Sequence, residues 1–328
     1  MRRTFIGSAA AWLAAIGIGA LALSTAAFAQ AYPQRPVTVV VPYAPGGAGD
    51  VVARLLGVQL EKELGQAFVI ENRAGASTML GADFVRRADK DGYTLLFTAA
   101  TTFVTNPHLF AKITYRYEDF APISLVGRVP FVFAVKKTFP AKTIGDFVTH
   151  VGQKPGEVFY GTLGRGSITH IVGELMNAEL KIKMADVPYK GAAPAMNDIL
   201  SGNLDTYVES VANATPLHNN GDLKVIGIMS QERSKLLPDV PTFAEAGYPG
   251  VLADSWLALF APQGTPQPII DRLNAAVHKA AQSPQFIEAM AKIGNTVQPT
   301  TPAELSALVK AESDKWGAVI NTLGIKLD

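Results

Sequence analysis

The sequence has no cysteine among its 328 residues, only 17% charged and 9% aromatic side chains, and no excess of either charge: 29 Lys and Arg stand against 28 Asp and Glu. Each shortage removes a class of protein. Without cysteine there is no disulfide framework and no thiolate-ligated metal. Without a basic stretch there is no footprint for a phosphate backbone, so nucleic acid is excluded as a partner. The five histidines show no ligand spacing to one another, so no metal is expected. No dinucleotide fingerprint or P-loop is complete, so no cofactor is expected either. What is there is a chain 48% hydrophobic and long enough for about two domains, each with its own core.

The first residues read as an address. Arg2 and Arg3 precede an apolar, Ala-rich run from Ala9 to Ala22, and Ala27-Phe28-Ala29 supplies a small-residue cleavage site. Residues 1–29 are therefore expected to be a signal peptide cut near Ala29. Arg2-Arg3-Thr4-Phe5-Ile6 also resembles a twin-arginine signal. With no Cys at the cut there is no lipid anchor, and a soluble protein of the periplasm is expected.

Beyond the address, Val37 to Val41 is a β-branched run followed by a Gly-rich loop and a helical pattern from Val51 to Leu64. Ala67 to Ile70, Leu80 to Ala88 and Tyr93 to Phe97 continue as strand, helix and strand. Such alternation means a parallel sheet with helices on its faces. Two more apolar runs, Pro122 to Val126 and Phe131 to Val135, precede a second unit of the same plan. Its helix (Ile144 to Val151), strand (Val158 to Tyr160), Gly-rich loop and helix (Ile168 to Leu180) lead on through Val187, the helix Ala192 to Leu200 and the strand Asp205 to Val208. Val225 to Met229 and Leu257 to Phe260 read as strands again. Three helices opened by Pro268, Pro284 and Pro302 end the chain. This predicts two lobes. Residues 30–126 and 228–328 form the first, discontinuous lobe and 127–227 the second, with crossings near Gly127 and Gly227 acting as a hinge over a cleft. Ligands of open α/β sheets sit at strand C-terminal ends, facing such a cleft.

The loops at those ends are the candidate site. In the first, Tyr43, Ala44, Gly46, Gly47 and Asp50 lead into a helix whose unpaired N–H groups and positive dipole end suit a small anion. The second occupies the corresponding place with Thr162, Arg165, Ser167, Thr169 and His170. Thr98, Ala100 and Thr102 follow the third strand, and Glu209 and Trp256 fall where the lobes are expected to meet, Trp256 near the mouth of the cleft. Ser167 and His170 invite comparison with an exported hydrolase, but the G-x-S-x-G elbow is missing because Thr169 stands where its second Gly belongs. No catalytic residue is assigned.

These loops resemble those of the tripartite tricarboxylate transporter receptor family, the TctC or Bug solute-binding proteins. The matching stretches run in family order. They are Tyr32-Pro33, Val39 through Gly47, Glu71-Asn-Arg73 with Gly75, Asp91 to Leu95, Asp119 to Ser124, Val187 to Gly191, Leu237 to Gly247 and Ala261 to Pro266. The resemblance implies an α/β, two-lobed type II periplasmic-binding-protein fold, each lobe a mostly parallel sheet flanked by helices. It also implies a monomer that closes on a small mono-, di- or tricarboxylate and delivers it to the large and small subunits of a membrane permease. Its relative, a receptor that presents its ligand to a sensor protein, shares the cleft and differs in partner. Carried residue by residue, the family's carboxylate contacts are backbone groups and hydroxyls at Ala44, Gly46, Gly47, Asp50, Ser167, Thr169 and His170. Arg165, Gly49 and Glu209 depart from the family pattern, at positions that bear on the far end of the ligand.

Overall fold

A computed structural model describes residues 32–162, 167–189, 192–322 and 324–327. The expected signal peptide and Arg165 lie outside the described residues. Strands β1 (Val37–Val41), β2 (Phe68–Asn72) and β3 (Thr94–Ala99) pair in parallel, with β1 central. All four β1 valines are buried, as a strand covered on both faces requires. Helix α1 (Ala48–Leu64) connects β1 to β2 and ends at Gly65 in the left-handed conformation, its N–H donated to the Glu61 carbonyl at 2.8 Å. Helix α2 (Met79–Arg86) leads to β3.

The two apolar runs around 122–135 form one strand, β4 (Phe120–Lys136). Its first part pairs antiparallel with β9 (Asp254–Pro262), which also pairs with β3. From Phe131 onward its partners are β7 (Thr206–Ser210) and β8 (Leu223–Ile228). Strand β5 (Phe159–Thr162) runs parallel to β7 on one side and to β6 (Ala185–Pro188) on the other. Helices α3 (Ile144–Gln153), α4 (Ile168–Glu179), α5 (Ala192–Ser201) and α6 (Val211–Asn219) belong to this second unit. The chain then closes the first with α7 (Gln267–Gln282), α8 (Pro284–Lys292), β10 (Thr296–Val297) and α9 (Pro302–Thr322). Each unit thus has three parallel strands extended by antiparallel crossing strands. Among the described residues no helix is long and apolar enough to cross a membrane.

The pairings mark the crossings themselves. Pro130 is opposite Asp254 and Phe131 opposite Ser210, so β4 changes partners between 130 and 131. On the return path, Met229 donates to Phe131, Phe243 to Ile228 and Ala253 to Met229, which holds 229–253 against the second unit until β9 begins at Asp254. Gly127 and Gly227, near which the crossings are expected, are packing positions. A Cβ at Gly127 would collide with the Thr296 carbonyl, and one at Gly227 would lie 2.6 Å from the Phe243 ring.

Alternation along the strands divides the core. Val37, Val39, Val41, Leu95 and Phe97 face α1, α7 and α8 in one cluster, and Val132, Ala134, Tyr207 and Val225 form another beside α5 and α6. Between them, one cluster runs from Leu96, Phe103 and Phe260 through Phe133 to Phe147, Tyr160 and Val172, so apolar packing continues along β4 from one unit into the other.

Candidate functional site

Because β1, β2 and β3 are parallel, they end at one edge, at Val41, Asn72 and Ala99. The segments after all three belong to the same rim. After β1, Gly46 turns with φ +82°, a conformation open to glycine, and residues 44–47 are exposed. Gly47 is the N-cap of α1 and supplies no side-chain cap, so the first-turn N–H groups have neither an intrahelical partner nor a capping side chain.

Asp50 braces this loop from beneath. Only 3% exposed, its carboxylate accepts the Gly46 N–H at 2.9 Å, the Asn72 amide at 2.9 Å and the Arg54 guanidinium at 2.9 and 3.1 Å. The Asn72 amide also donates to the Tyr43 carbonyl at 3.1 Å. The Arg54 bonds, aided by those from Gly46 and Asn72, outweigh burial and hold the Asp50 carboxyl at about 2. The sequence placed Asp50 and the Gly46 N–H on the ligand face; they bond each other inside the loop.

Tyr43 joins this loop to the next. Its hydroxyl receives the Ala99 N–H at 3.2 Å and lies 3.5 Å from Thr98 Oγ1, and burial pushes its ionisation up. The ring lies where a side chain at Gly49 would project, since a Cβ there would be 3.1 Å from Tyr43 Cδ2. Thr98 and Thr102 are fully buried, 2.6 Å apart, and Thr102 donates to Thr78 at 2.9 Å. A π turn at Thr101–Thr105 rotates these hydroxyls beneath the rim and leaves Ala99, Ala100 and Thr101 half-buried at its surface. Sequence reasoning missed Arg54, Asn72 and Thr78. The parallel pairing of β1 with β2 was the signal for Asn72, which stands at the end of β2 beside Val41.

On the opposite unit, Thr162 ends β5 fully buried, its carbonyl taking the Tyr189 N–H at 2.8 Å. Ser167 caps α4, its Oγ accepting the His170 backbone N–H at 3.3 Å and lying 3.1 Å from Thr169 Oγ1. Thr169 and His170 are buried in the first turn, and Ser167 is half-buried. The geometry is that of a helix cap.

The two remaining candidates are bonded within the protein. Glu209 Oε1 accepts the Ser210 N–H at 2.7 Å and the Asn213 amide at 3.3 Å, ordering the start of α6. Trp256 is fully buried, with Nε1 donating to Glu312 Oε2 at 2.7 Å, and so is a core residue of β9 rather than part of a cleft mouth. Burial pushes the Glu312 carboxyl up, while Arg128 holds the neighbouring Asp254 at 2.9 and 3.1 Å. A cavity of about 930 Å³ opens beside this cluster and α9, and none of the candidate residues lines it.

The arrangement offers a helix N-terminus on each side of a two-lobed molecule, with exposed residues 44–47 leading into the first. Comparisons with known proteins agree with that geometry. The family described as "Tripartite tricarboxylate transporter family receptor" matches residues 52–325. Protein BugT of Bordetella pertussis is 35% identical over 319 residues, covering 96% of this chain and 98% of BugT. MatC from Rhodopseudomonas palustris, solved with bound malate, superposes with a TM-score of 0.75 at 36% identity, over 88% of this chain and all of MatC. A second R. palustris structure, with adipate, gives a TM-score of 0.80 at 33% identity, over 90% of this chain and all of that one. The chain belongs to the tripartite tricarboxylate transporter receptor family of periplasmic solute-binding proteins, a family of receptors and not of enzymes.

Proposed function

We propose that this chain is exported to the periplasm, binds a small organic carboxylate between its two lobes as a monomer, and hands it to the large and small subunits of a membrane permease. The observation that carries this reading is the first-turn face of α1. Its donors lack a side-chain cap, and the single acid of that turn, Asp50, is bonded by Arg54 beneath the loop. A carboxylate arriving there meets N–H groups and the positive end of the helix with little opposing charge. Ser167 and Thr169, at the start of α4, supply the facing hydroxyls. Charge-assisted hydrogen bonds in a closed cleft give affinity without a dedicated cation on the first loop.

Malate, bound by MatC, and adipate, bound by the second relative, are the natural first ligands to try. Calorimetric titration of the purified protein with both, with mono- and tricarboxylates, and with the corresponding amides as controls, is expected to give saturable binding of at least one acid and none of its amide. Absence of binding by every acid, in protein that unfolds cooperatively, would overturn the reading. Uptake of the bound acid by cells, lost when this chain is deleted, tests delivery.

A further inference from the structure

The rim has a third loop, after β2, that no assignment above uses. Gly75 has φ +138°, and three non-glycine residues follow it in the left-handed region: Ala76 at φ +45°, Ser77 at +49° and Thr78 at +78°. A single such residue costs on the order of 1–2 kcal/mol, and three in succession persist only where the surroundings impose the conformation. Here they do. The Asn106 amide donates to the Ser77 carbonyl at 2.5 Å and reaches Thr78 Oγ1 and the Tyr115 hydroxyl at 3.3 Å, while Tyr115 donates to the Thr102 carbonyl at 2.7 Å. Thr78, Asn106 and Tyr115 are all buried. This is the same hydroxyl network that continues through Thr102 and Thr98 to Tyr43 in the first loop, so the β2 loop and the anion-binding loop share one rigid floor.

On that floor Ala76 and Ser77 are exposed, at the edge where β1, β2 and β3 end. Glycine at 77 would adopt the backbone conformation without penalty. A polar side chain held at a position that disfavours it points to a use for the hydroxyl. We propose that Ser77 is a specificity-determining residue of the cleft: its hydroxyl, fixed by the Thr78–Asn106 anchor, meets a polar group of the bound acid and helps select among acids. The proposal rests on the carboxylate-receptor reading.

The test compares Ser77→Gly, Ser77→Ala and Ala76→Gly in the otherwise intact protein, by calorimetry with malate and adipate and by thermal unfolding. Ser77→Gly is expected to raise Tm and still to weaken binding of one of the acids about threefold to tenfold, with the ratio of the two affinities shifting by at least about threefold. Ser77→Ala is expected to weaken binding alike without the gain in Tm. Ala76→Gly, which relieves the adjacent residue and keeps the hydroxyl, is expected to raise Tm and leave both affinities within about twofold. Unchanged affinities in both Ser77 variants, with the wild type binding normally, overturn the role of Ser77 and leave the receptor reading intact. An equal loss for both acids overturns the selectivity assignment. A wild-type protein that binds no acid at all defeats both readings together.

Discussion

The loop after β1 is held by side chains from three places, Asp50 and Arg54 on α1, Asn72 at the end of β2, and Tyr43 anchored against β3, whereas at the start of α4 the Ser167 hydroxyl caps its own helix. The two loops occupy equivalent places in the two units and share a glycine-rich composition. The bonds named for each differ in reach. Preorganisation from distant elements fixes a loop before ligand arrives and couples it to the stability of the whole unit, while a local cap leaves its helix start to the stability of that helix. The loop after β1 is therefore preorganised by the first unit as a whole, and the Ser167 cap adds order at the start of α4.

The comparison breaks most severely at Asp50. Asp50→Ala removes the acceptor for Gly46, Asn72 and Arg54 at once and is expected to cost about 1–3 kcal/mol by denaturant unfolding, since three bonds to one nearly buried carboxylate are lost together. The sign of the pH dependence follows from the lowered carboxyl. Its folded-state value of about 2 lies below the ordinary 3.8, so its contribution is fully present above about 4 and is lost as pH falls through 2. Acid titration of stability is expected to show this loss in the wild type, and Asp50→Asn to flatten the curve over that window. A curve unchanged by Asp50→Asn would mean that the loop is held by something other than this carboxylate.

The next effect is expected one layer below. Thr102→Val keeps the shape of the side chain and removes the hydroxyl that meets both Thr98 and Thr78, so two buried hydroxyls lose a partner and about 1–3 kcal/mol of stability goes with them. Because the network ends at Tyr43, hydrogen exchange is expected to quicken at Ala99, whose N–H bonds the Tyr43 hydroxyl. Thr102→Ser restores the bonds and is expected to restore both readings. Faster exchange confined to 102–106 would show that the network does not reach the first loop.

What the sequence disclosed and what it hid follow one physical line. Helices and strands that alternate in polarity along a single segment are visible, which is why the strand, loop and helix from Val37 to Leu64 and the Pro-opened terminal helices stand almost where they were expected. Pairing between distant segments is not visible. Gly127 and Pro130 made β4 look like two runs, yet Gly127 is there for close approach of β10, and Pro130 stands at the change of partners. Thr98 and Thr102 were legible as hydroxyls near a strand end, but the π turn that hides them depends on packing of Phe103 against Phe120 and Phe260. Trp256 looked like a rim residue because Asp254 and Ser255 precede it; the alternation of β9 turns its ring inward to Glu312. The left-handed turn at 76–78 was invisible because its last two residues, Ser77 and Thr78, are ordinarily read as a helix start.

The smallest expected effect is at Ser167, and it sharpens the comparison because it tests how local the order at the start of α4 is. Ser167 Oγ accepts the His170 backbone N–H at 3.3 Å, and loss of such a cap costs typically about 1 kcal/mol. Ser167→Ala is therefore expected to lower stability by about that amount. Ser167→Gly should cost only a few tenths, because glycine adopts the N-cap backbone and leaves the N–H groups open to water. Ser167→Thr retains the oxygen and is expected to fall between wild type and alanine. Hydrogen exchange gives the decisive pattern. With a local cap, quickening in Ser167→Ala is confined to the first turn of α4, at Thr169 and His170, and Tyr160 and Tyr207 in the strands beneath keep wild-type protection. Exchange that spreads to β5 and β7 would show the second loop to be braced across elements like the first, and the asymmetry between the two halves of the rim would disappear.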